Sequence, residues 1–329
     1  MIAIATHRMG AEADRIVGRL AQHGRPTVRL NTGDLEGEAA IRITAEGQTA
    51  HAHCDGRTVA AASITSAWLH QLPPLSPTRG AGDVNELAAE SSRLRMWEAY
   101  FSFVPPERWL SPPTRLVTAG NKVLQLVAAS RAGITVPETL VGNEHRGWQP
   151  RPPLLAKYLG DSAPLWAAGR SGHAAVTIAV DLDDIDDRSL RSAPAIFQSL
   201  VPSAEELRVV AVRTRSEPTA RTFAASATKP EGIVDLRLSN DGLPDYRRAE
   251  VGPDVTERLT TMMDLMGVGF CSADFVVTPA GDHVFLDLNS TGAWWWIDDL
   301  HEGEVTEAIS AALIALEDGT ATGVMSGTR

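Results

Sequence analysis

Residues 271–292 read CSADFVVTPAGDHVFLDLNSTG, and this stretch decides how the rest of the chain is read. Two apolar-rich runs, from Cys271 to Val277 and from His283 to Asn289, flank a turn centred on Ala280-Gly281. Such a pattern predicts a β-hairpin. Pairing about that centre sets Asp274 opposite Asp287. Side chains alternate along a strand, so Asn289 shares the face of Asp287 and Ser272 shares that of Asp274. The other face then carries Ala273, Phe275, Val277, Val284, Leu286 and Leu288, a core pattern. Two carboxylates opposed on one sheet face repel. Either both are wet on a solvated face, or a divalent cation lies between them. Two carboxylates, an amide oxygen and phosphate oxygens would make a hard oxygen shell suited to magnesium. Trp294, Trp295 and Trp296 follow the hairpin. Consecutive side chains cannot all share one face, so most of the three are expected to pack rather than to stack on a ligand.

The whole chain has 329 residues, 43% of them apolar and 22% charged, enough for two or three modules with sizeable cores. Its formal charge of −11 argues against a nucleic-acid partner, because phosphate binding needs clustered Lys and Arg. Cys54 and Cys271 fit neither a disulfide framework nor a zinc spacing. No apolar run approaches the ~18–20 residues of a membrane span. The opening, MIAIATHRMG, is a short strand followed at once by charge and lacks the longer apolar stretch of a signal peptide. A soluble, cytoplasmic protein is expected.

Ahead of the hairpin, Ile2 to Ala5 reads as a buried strand and AEADRIVGRLAQHG as a helix stopped at Gly24. Thr27 to Leu30 completes a βαβ unit. It has no G-x-G-x-x-G fingerprint, so a dinucleotide site has no support. Short strands with Gly-bearing turns fill 40–59, a strand covers 64–69, and a helix is predicted from Asp83 to about Val104. Val123, Leu126 and Val127 mark one face of a helix that stops at Gly133. Strands are predicted at 154–159, where Lys157 interrupts an apolar run, and at 195–201, ending at Pro202. An unpaired ammonium inside an apolar strand is costly. An alternating strand, ELRVVAVRTR, follows. The helix VTEAISAALIALEDG precedes a tail, TATGVMSGTR, expected to be loose.

The segment SADFVVTPAGDHVFLDLNSTGAWWWID resembles the C-terminal metal motif of ATP-grasp enzymes. More narrowly it resembles the peptide maturases that make graspetides, microviridin-type peptides closed by side-chain esters or amides. Their pattern is an Asp-Phe strand, a hairpin, then Glu-x-Asn-Pro-x-Gly-Gln and a Trp. Here Asp287 stands for the Glu, Ser290 for the Pro and Ala293 for the Gln. Upstream, NKVLQLVAASRAGITVPETLVGN resembles the helix and strand that enter the fold. LLAKYL occupies the place of the nucleotide-lysine strand, and FQSLVPSAEELRVVAVRT that of the adenine hinge and the Arg-bearing strand after it. VDLRL sits where many members have Asp-Trp-Arg, with Leu236 in place of the Trp. AWLHQLPP lacks the paired arginines often seen after the tryptophan.

The resemblance implies an α/β protein with the ATP-grasp fold behind an N-terminal pre-ATP-grasp domain. The expected boundaries are 1–115 for that domain, 116–201 for the central subdomain, 202–318 for the C-terminal subdomain and 319–329 for a flexible tail. It implies ATP-dependent activation of a carboxylate as an acyl phosphate, followed by capture by a hydroxyl or amine. Asp274, Asp287 and Asn289 would hold Mg2+, and Lys122 and Lys157 would meet the phosphates of ATP. The hinge of Gln198, Leu200 and Val201 would face adenine, and Glu206 the ribose. Arg208 and Arg237 would clamp the transferring phosphoryl group, with Asp235 orienting Arg237. The implied partner is a ribosomally made precursor peptide, leader plus core, acted on by a homodimer. Two other readings stay open: an ATP-grasp ligase for a small amino acid or a protein C-terminus, and a nucleotide- or peptide-binding module without turnover.

Overall fold

The computed structural model describes residues 1–32, 38–54, 56–71, 84–144, 148, 150–159, 177–185, 187–214, 216–229 and 245–326. The apolar run Ile2–Thr6 is buried throughout and forms the first strand, β1. Helix α1 (Ala11–Gln22) crosses over to β2 (Thr27–Asn31), which pairs with β1 in parallel. An antiparallel meander follows, β3 (Glu38–Thr44), β4 (Gly47–Cys54) and β5 (Arg57–Ala60), and then β6 (Ser66–Leu69) joins the other edge of β1. Helix α2 (Val84–Ser102) lays Trp97, Tyr100 and Phe101 against Ala52, Val59 and Leu69.

Two helices, α3 (Pro113–Ala119) and α4 (Lys122–Arg131), lead into a second sheet. Its strands are β7 (Thr139–Gly142), β8 (Leu154–Tyr158), β9 (Ile178–Val180) and, after the short helix α5 (Asp187–Ser192), β10 (Ala195–Ser199), in the order β7-β10-β8-β9. The largest sheet has the order β13-β12-β11-β14-β15. It is built from β11 (Glu205–Val212), β12 (Arg221–Thr228), β13 (Arg247–Ala249), β14 (Phe270–Val277) and β15 (His283–Asn289). Helix α6 (Pro253–Met266) and α4 cover one of its faces, where Val209, Ala211, Ala273 and Leu288 meet Leu259, Met262 and Met263. On the other face Val210, Val212, Phe223 and Phe270 share a core with Ile2, Ile4, Ile16 and Trp68. Helices α7 (Trp295–Leu300) and α8 (Glu304–Ser326) close that core with Ile297, Ile309 and Leu313. The first unit and the last sheet are thus welded through one hydrophobic layer. No helix among the described residues is long and apolar enough to cross a membrane.

Three local expectations change. The 271–292 hairpin forms with Asp274 opposite Asp287 and Ser272 opposite Asn289, but the register shifts between Asp274 and Phe275. Beyond that bulge Phe275 pairs with Phe285, so Phe285 fills the core position that simple alternation gives to Leu286. On α4 the buried side chains are Gln125, Ala128 and Ala129, whereas Val127 is 41% exposed. Small alanines allow the helix to lie close to the sheet, and a single polar residue is taken inside with them. Finally, α8 continues to Ser326, into the stretch expected to be a loose tail.

Candidate active site

One row of residues runs across the whole of the last sheet. Arg248 on β13, Ala225 on β12, Arg208 on β11, Asp274 on β14 and Asp287 on β15 are register partners in turn. Direct partners present their side chains on the same face. Toward one end of that face lie Val210, Val212 and Phe270 of the shared core, and toward the other the charged groups gather. The same two-residue period that buries one end of β11 therefore carries Arg208 and Glu206 to the site.

Arg208 grips Asp274 with both prongs of its guanidinium. Nε donates to Oδ1 at 2.6 Å and Nη2 to Oδ2 at 2.8 Å, the bidentate geometry suited to a planar fork. Burial works against the arginine's charge. The charge and hydrogen bonds of Asp274, together with Tyr246 and Asp287, outweigh it and hold the guanidinium more firmly protonated than usual. Asp287 shows the opposite balance. Burial and then the facing charge of Asp274 push its pKa above the ordinary carboxylate value, and Lys122 and Lys157 pull it back. Lys122 is the first residue of α4, just after Asn121, whose Oδ1 caps the helix by accepting from Val123 N at 3.0 Å and Leu124 N at 3.2 Å. Lys157 comes from β8 of the neighbouring sheet, paired with Ile196. Four elements thus bring two lysines and Asp274 into electrostatic range of Asp287.

Asn289 is exposed at the end of β15, and its Oδ1 accepts from Thr291 N at 2.9 Å. A cation bound there would share that oxygen with the turn. Gly292 folds back over this corner, where a Cβ would lie 3.0 Å from Asn289 Cβ and 3.1 Å from Ser272 Cβ. The hydroxyl of Ser272 is buried with no protein partner. Opposed acids, a nearby amide oxygen and an orphaned hydroxyl are a donor set that fits a hard divalent cation. Among the described residues no trio of His, Cys, Asp and Glu forms a metal cage by itself. A cation would therefore draw on ligand oxygens as well.

The tryptophans divide by role. Trp294 is fully buried in the shared core, and Trp295 is 43% exposed. Trp296 lies beneath Arg208, with Cζ 5.9 Å from the ring centroid, and is itself covered by Tyr246 at 4.2 Å. A cation over an aromatic face is attracted by the ring quadrupole. Tyr246 and Trp296 therefore buttress the arginine from behind.

The remaining expected residues are placed less uniformly. Gln198 sits inside the second sheet, between Thr139 and Leu155, and its Nε2 donates to Thr139 Oγ1 at 3.0 Å. The strand ends at Ser199, short of the expected Val201. Leu200 N donates to Pro153 O at 2.8 Å, and Val201 follows outside the ladder. Glu206 has Lys229 Nζ 3.7 Å from its Oε1. Arg237 and Asp235 lie outside the described residues. A cavity of about 640 Å³ opens elsewhere, between Trp109, Arg213, Gly269 and Ala312, and none of the site residues lines it.

Pattern reading missed Gln125, Tyr246 and Arg248. Gln125 hides because a lone glutamine within a helix looks like surface. Arg248 is visible only once β13 is known to pair with β12.

No protein-family model and no curated protein sequence matches the chain. Solved structures do. The macrocyclase MdnC from Microcystis aeruginosa MRC, bound with the precursor peptide MdnA, superposes with a TM-score of 0.78 at 18% identity, covering 95% of this chain and 98% of that one. A RiPP-associated ATP-grasp ligase from Chryseobacterium gregarium, in complex with ADP and a leader and core peptide, gives 0.72 at 19% identity over 95% and 96%. The D-Ala:D-Ser ligase VanG from Enterococcus faecalis gives 0.57 at 13% identity over 96% and 98%. At these identities the likeness speaks for architecture, and its coverage is nearly end to end. The chain has the ATP-grasp fold, preceded by a pre-ATP-grasp α/β domain.

Proposed function

We propose that this chain is an ATP-dependent peptide maturase, one that joins Asp or Glu side chains of a ribosomal precursor to Ser or Thr hydroxyls or Lys amines. The observation that carries the chemistry is the row Arg208–Asp274–Asp287, facing Lys122 and Lys157. It supports a site for a polyphosphate with its cation. The choice of a peptide substrate rests on the likeness to MdnC and the Chryseobacterium ligase, both solved with peptides, over nearly the whole chain.

In this reading a carboxylate oxygen of the precursor attacks the γ-phosphorus of ATP, and ADP leaves. A hydroxyl or amine then attacks the acyl carbon, loses its proton and expels inorganic phosphate. The products are an ester or amide, ADP and phosphate. Little covalent work falls to the protein, because positioning and charge neutralisation dominate phosphoryl transfer. Lys122 and Lys157 bind phosphate oxygens, Arg208 holds Asp274 and faces the phosphoryl group, and Arg237 joins it there. Leu200 and Val201 line the adenine edge, Gln198 fixes their strand, and Glu206 accepts from ribose. Asp274, Asp287 and Asn289 would hold Mg2+, which, when bound, supplies neutralising charge beside the phosphates. The implied assembly is a homodimer in the cytoplasm.

The test is co-expression with short reading frames adjacent to the gene, read by mass spectrometry. One water lost per crosslink, with ADP released and the loss abolished by EDTA, is the expected result. Unchanged mass for every neighbouring peptide, together with no ADP formed, would sink the maturase reading.

A further inference from the structure

Gln125 is 2% exposed, and both the nitrogen and the oxygen of its amide have partners. Nε2 donates to Ala119 O at 2.6 Å and to Leu288 O at 2.7 Å, while Oε1 accepts from Leu288 N at 3.1 Å. Leu288 lies between Asp287 and Asn289. One edge of β15 is hydrogen-bonded to β14, and at Leu288 the other edge has Gln125 where a sixth strand would stand. A glutamine amide carries the same donor and acceptor pair as a peptide group, so it completes the ladder at that one residue. Further along the same edge, Thr135 O accepts from Phe285 N at 2.9 Å. The residue that grips the strand also belongs to α4, whose first turn begins at Lys122.

We propose that Gln125 is a positioning residue for the cation end of the site, fixing the Asp287–Asn289 segment relative to Lys122. This rests on the ATP-and-magnesium reading above. A residue needed only for packing would be replaceable by an apolar side chain of equal length. Here both backbone groups of a single residue, flanked by two of the proposed ligands, depend on one side chain. Supports of that kind act on the metal rather than on the fold alone, and losing them weakens metal affinity about 10- to 100-fold.

The experiment measures ADP binding to the full chain by titration calorimetry at stepped Mg2+ concentrations. Wild type, Gln125→Met, Gln125→Glu and Ala129→Gly are compared. Methionine keeps the length and removes every hydrogen bond. Glutamate keeps the acceptor but sets an oxygen against two carbonyls. Both should raise half-saturating Mg2+ by about ten-fold or more, with ADP binding recovered at high Mg2+. Ala129→Gly loosens the same helix and leaves the hydrogen bonds to Leu288 in place, so it should lower Tm and leave the Mg2+ dependence alone. If Gln125→Met folds and keeps the wild-type half-saturation, the positioning role is overturned while the ATP reading stands. If it does not fold, Gln125→Glu decides in the same way. If wild type binds no ADP at any Mg2+ concentration, both fall together.

Discussion

Asp287 carries a charge where the fold disfavours it. Its pKa is raised above the ordinary 3.8 by burial and by Asp274. A carboxyl raised in the folded state contributes stability below the unfolded pKa and loses it as pH rises through the folded value. At neutral pH, then, the acid weakens the protein until the proposed cation is bound. Asp287→Asn should raise Tm by about 1–2 °C at pH 7 without Mg2+, given the ~0.5 kcal/mol typical of opposed like charges. The same change should cost at least about 100-fold in ATP turnover. Thermal melts and a coupled ADP assay check the two halves. A variant with lower Tm and full turnover would remove Asp287 from the site.

At the scale of elements, two glycines near the hairpin separate stability from function. At Gly269, where the chain enters β14, a Cβ would lie 2.2 Å from Leu110 O, a backbone atom that cannot step aside. At Gly292 the nearest atoms are the side chains of Asn289 and Ser272. Gly269→Ala should therefore cost about 1–3 kcal/mol and leave the Mg2+ dependence of turnover unchanged. Gly292→Ala should cost about 1 kcal/mol or less while displacing Asn289 and raising the Mg2+ requirement. Denaturant melts and Mg2+ titrations of both variants give the comparison, and equal Mg2+ responses would contradict it.

The hairpin also marks what a sequence can disclose. Alternation alone puts Asp274 opposite Asp287, because period two leaves little freedom near the acids. It cannot reveal the bulge, since Phe285 and Leu286 are both apolar and either suits a core face. The grip of Arg208 on Asp274 is hidden for another reason. β11 and β14 are joined only after two intervening strands and a helix, so their register is a property of the closed sheet. On α4, burying Gln125 and exposing Val127 reverses the usual sorting, because backbone groups of a neighbouring strand offered the amide its partners.

Across the whole molecule the first unit meets the last through α1 and the turn after it. Arg15 pairs with Asp298 and Asp299, Arg19 with Glu307, and Arg25 with Glu317 and Asp318. The exposed pairs among them, to Asp299, Glu307 and Asp318, contribute about 0–1 kcal/mol each, whereas Asp298 is itself buried. The buried contact differs: His70 Nε2 lies 3.1 Å from Glu12 Oε2, and Glu12 Oε1 accepts from Trp294 N at 2.7 Å and Trp295 N at 3.2 Å. Burial, helped by His7, drives the pKa of His70 below the ordinary 6.5 against the pull of Glu12. Burial raises the Glu12 pKa, but His70 and the two tryptophan amides together outweigh it, and the net position is below the ordinary 4.5. A neutral buried imidazole gives stability that is complete above 6.5 and declines as pH falls. The Glu12 contribution holds above 4.5 and is lost at lower pH still. Tm should thus fall in two stages on acidification. His70→Gln should flatten the stage between about pH 7 and 5, as melts across that range would register. An unaltered slope would assign the first stage to another group.

The bond from Glu12 to the amides of Trp294 and Trp295 bears on which segments of the chain can be exchanged. The strand-helix unit at the front of the chain supplies the anchor for the start of α7, whose Trp296 in turn backs Arg208. Two segments far apart in the sequence therefore depend on one another in the folded chain. A chimaera that took its front third from another protein of the same fold would lose the fastening behind Arg208, unless the acid and the start of α7 were exchanged as a pair.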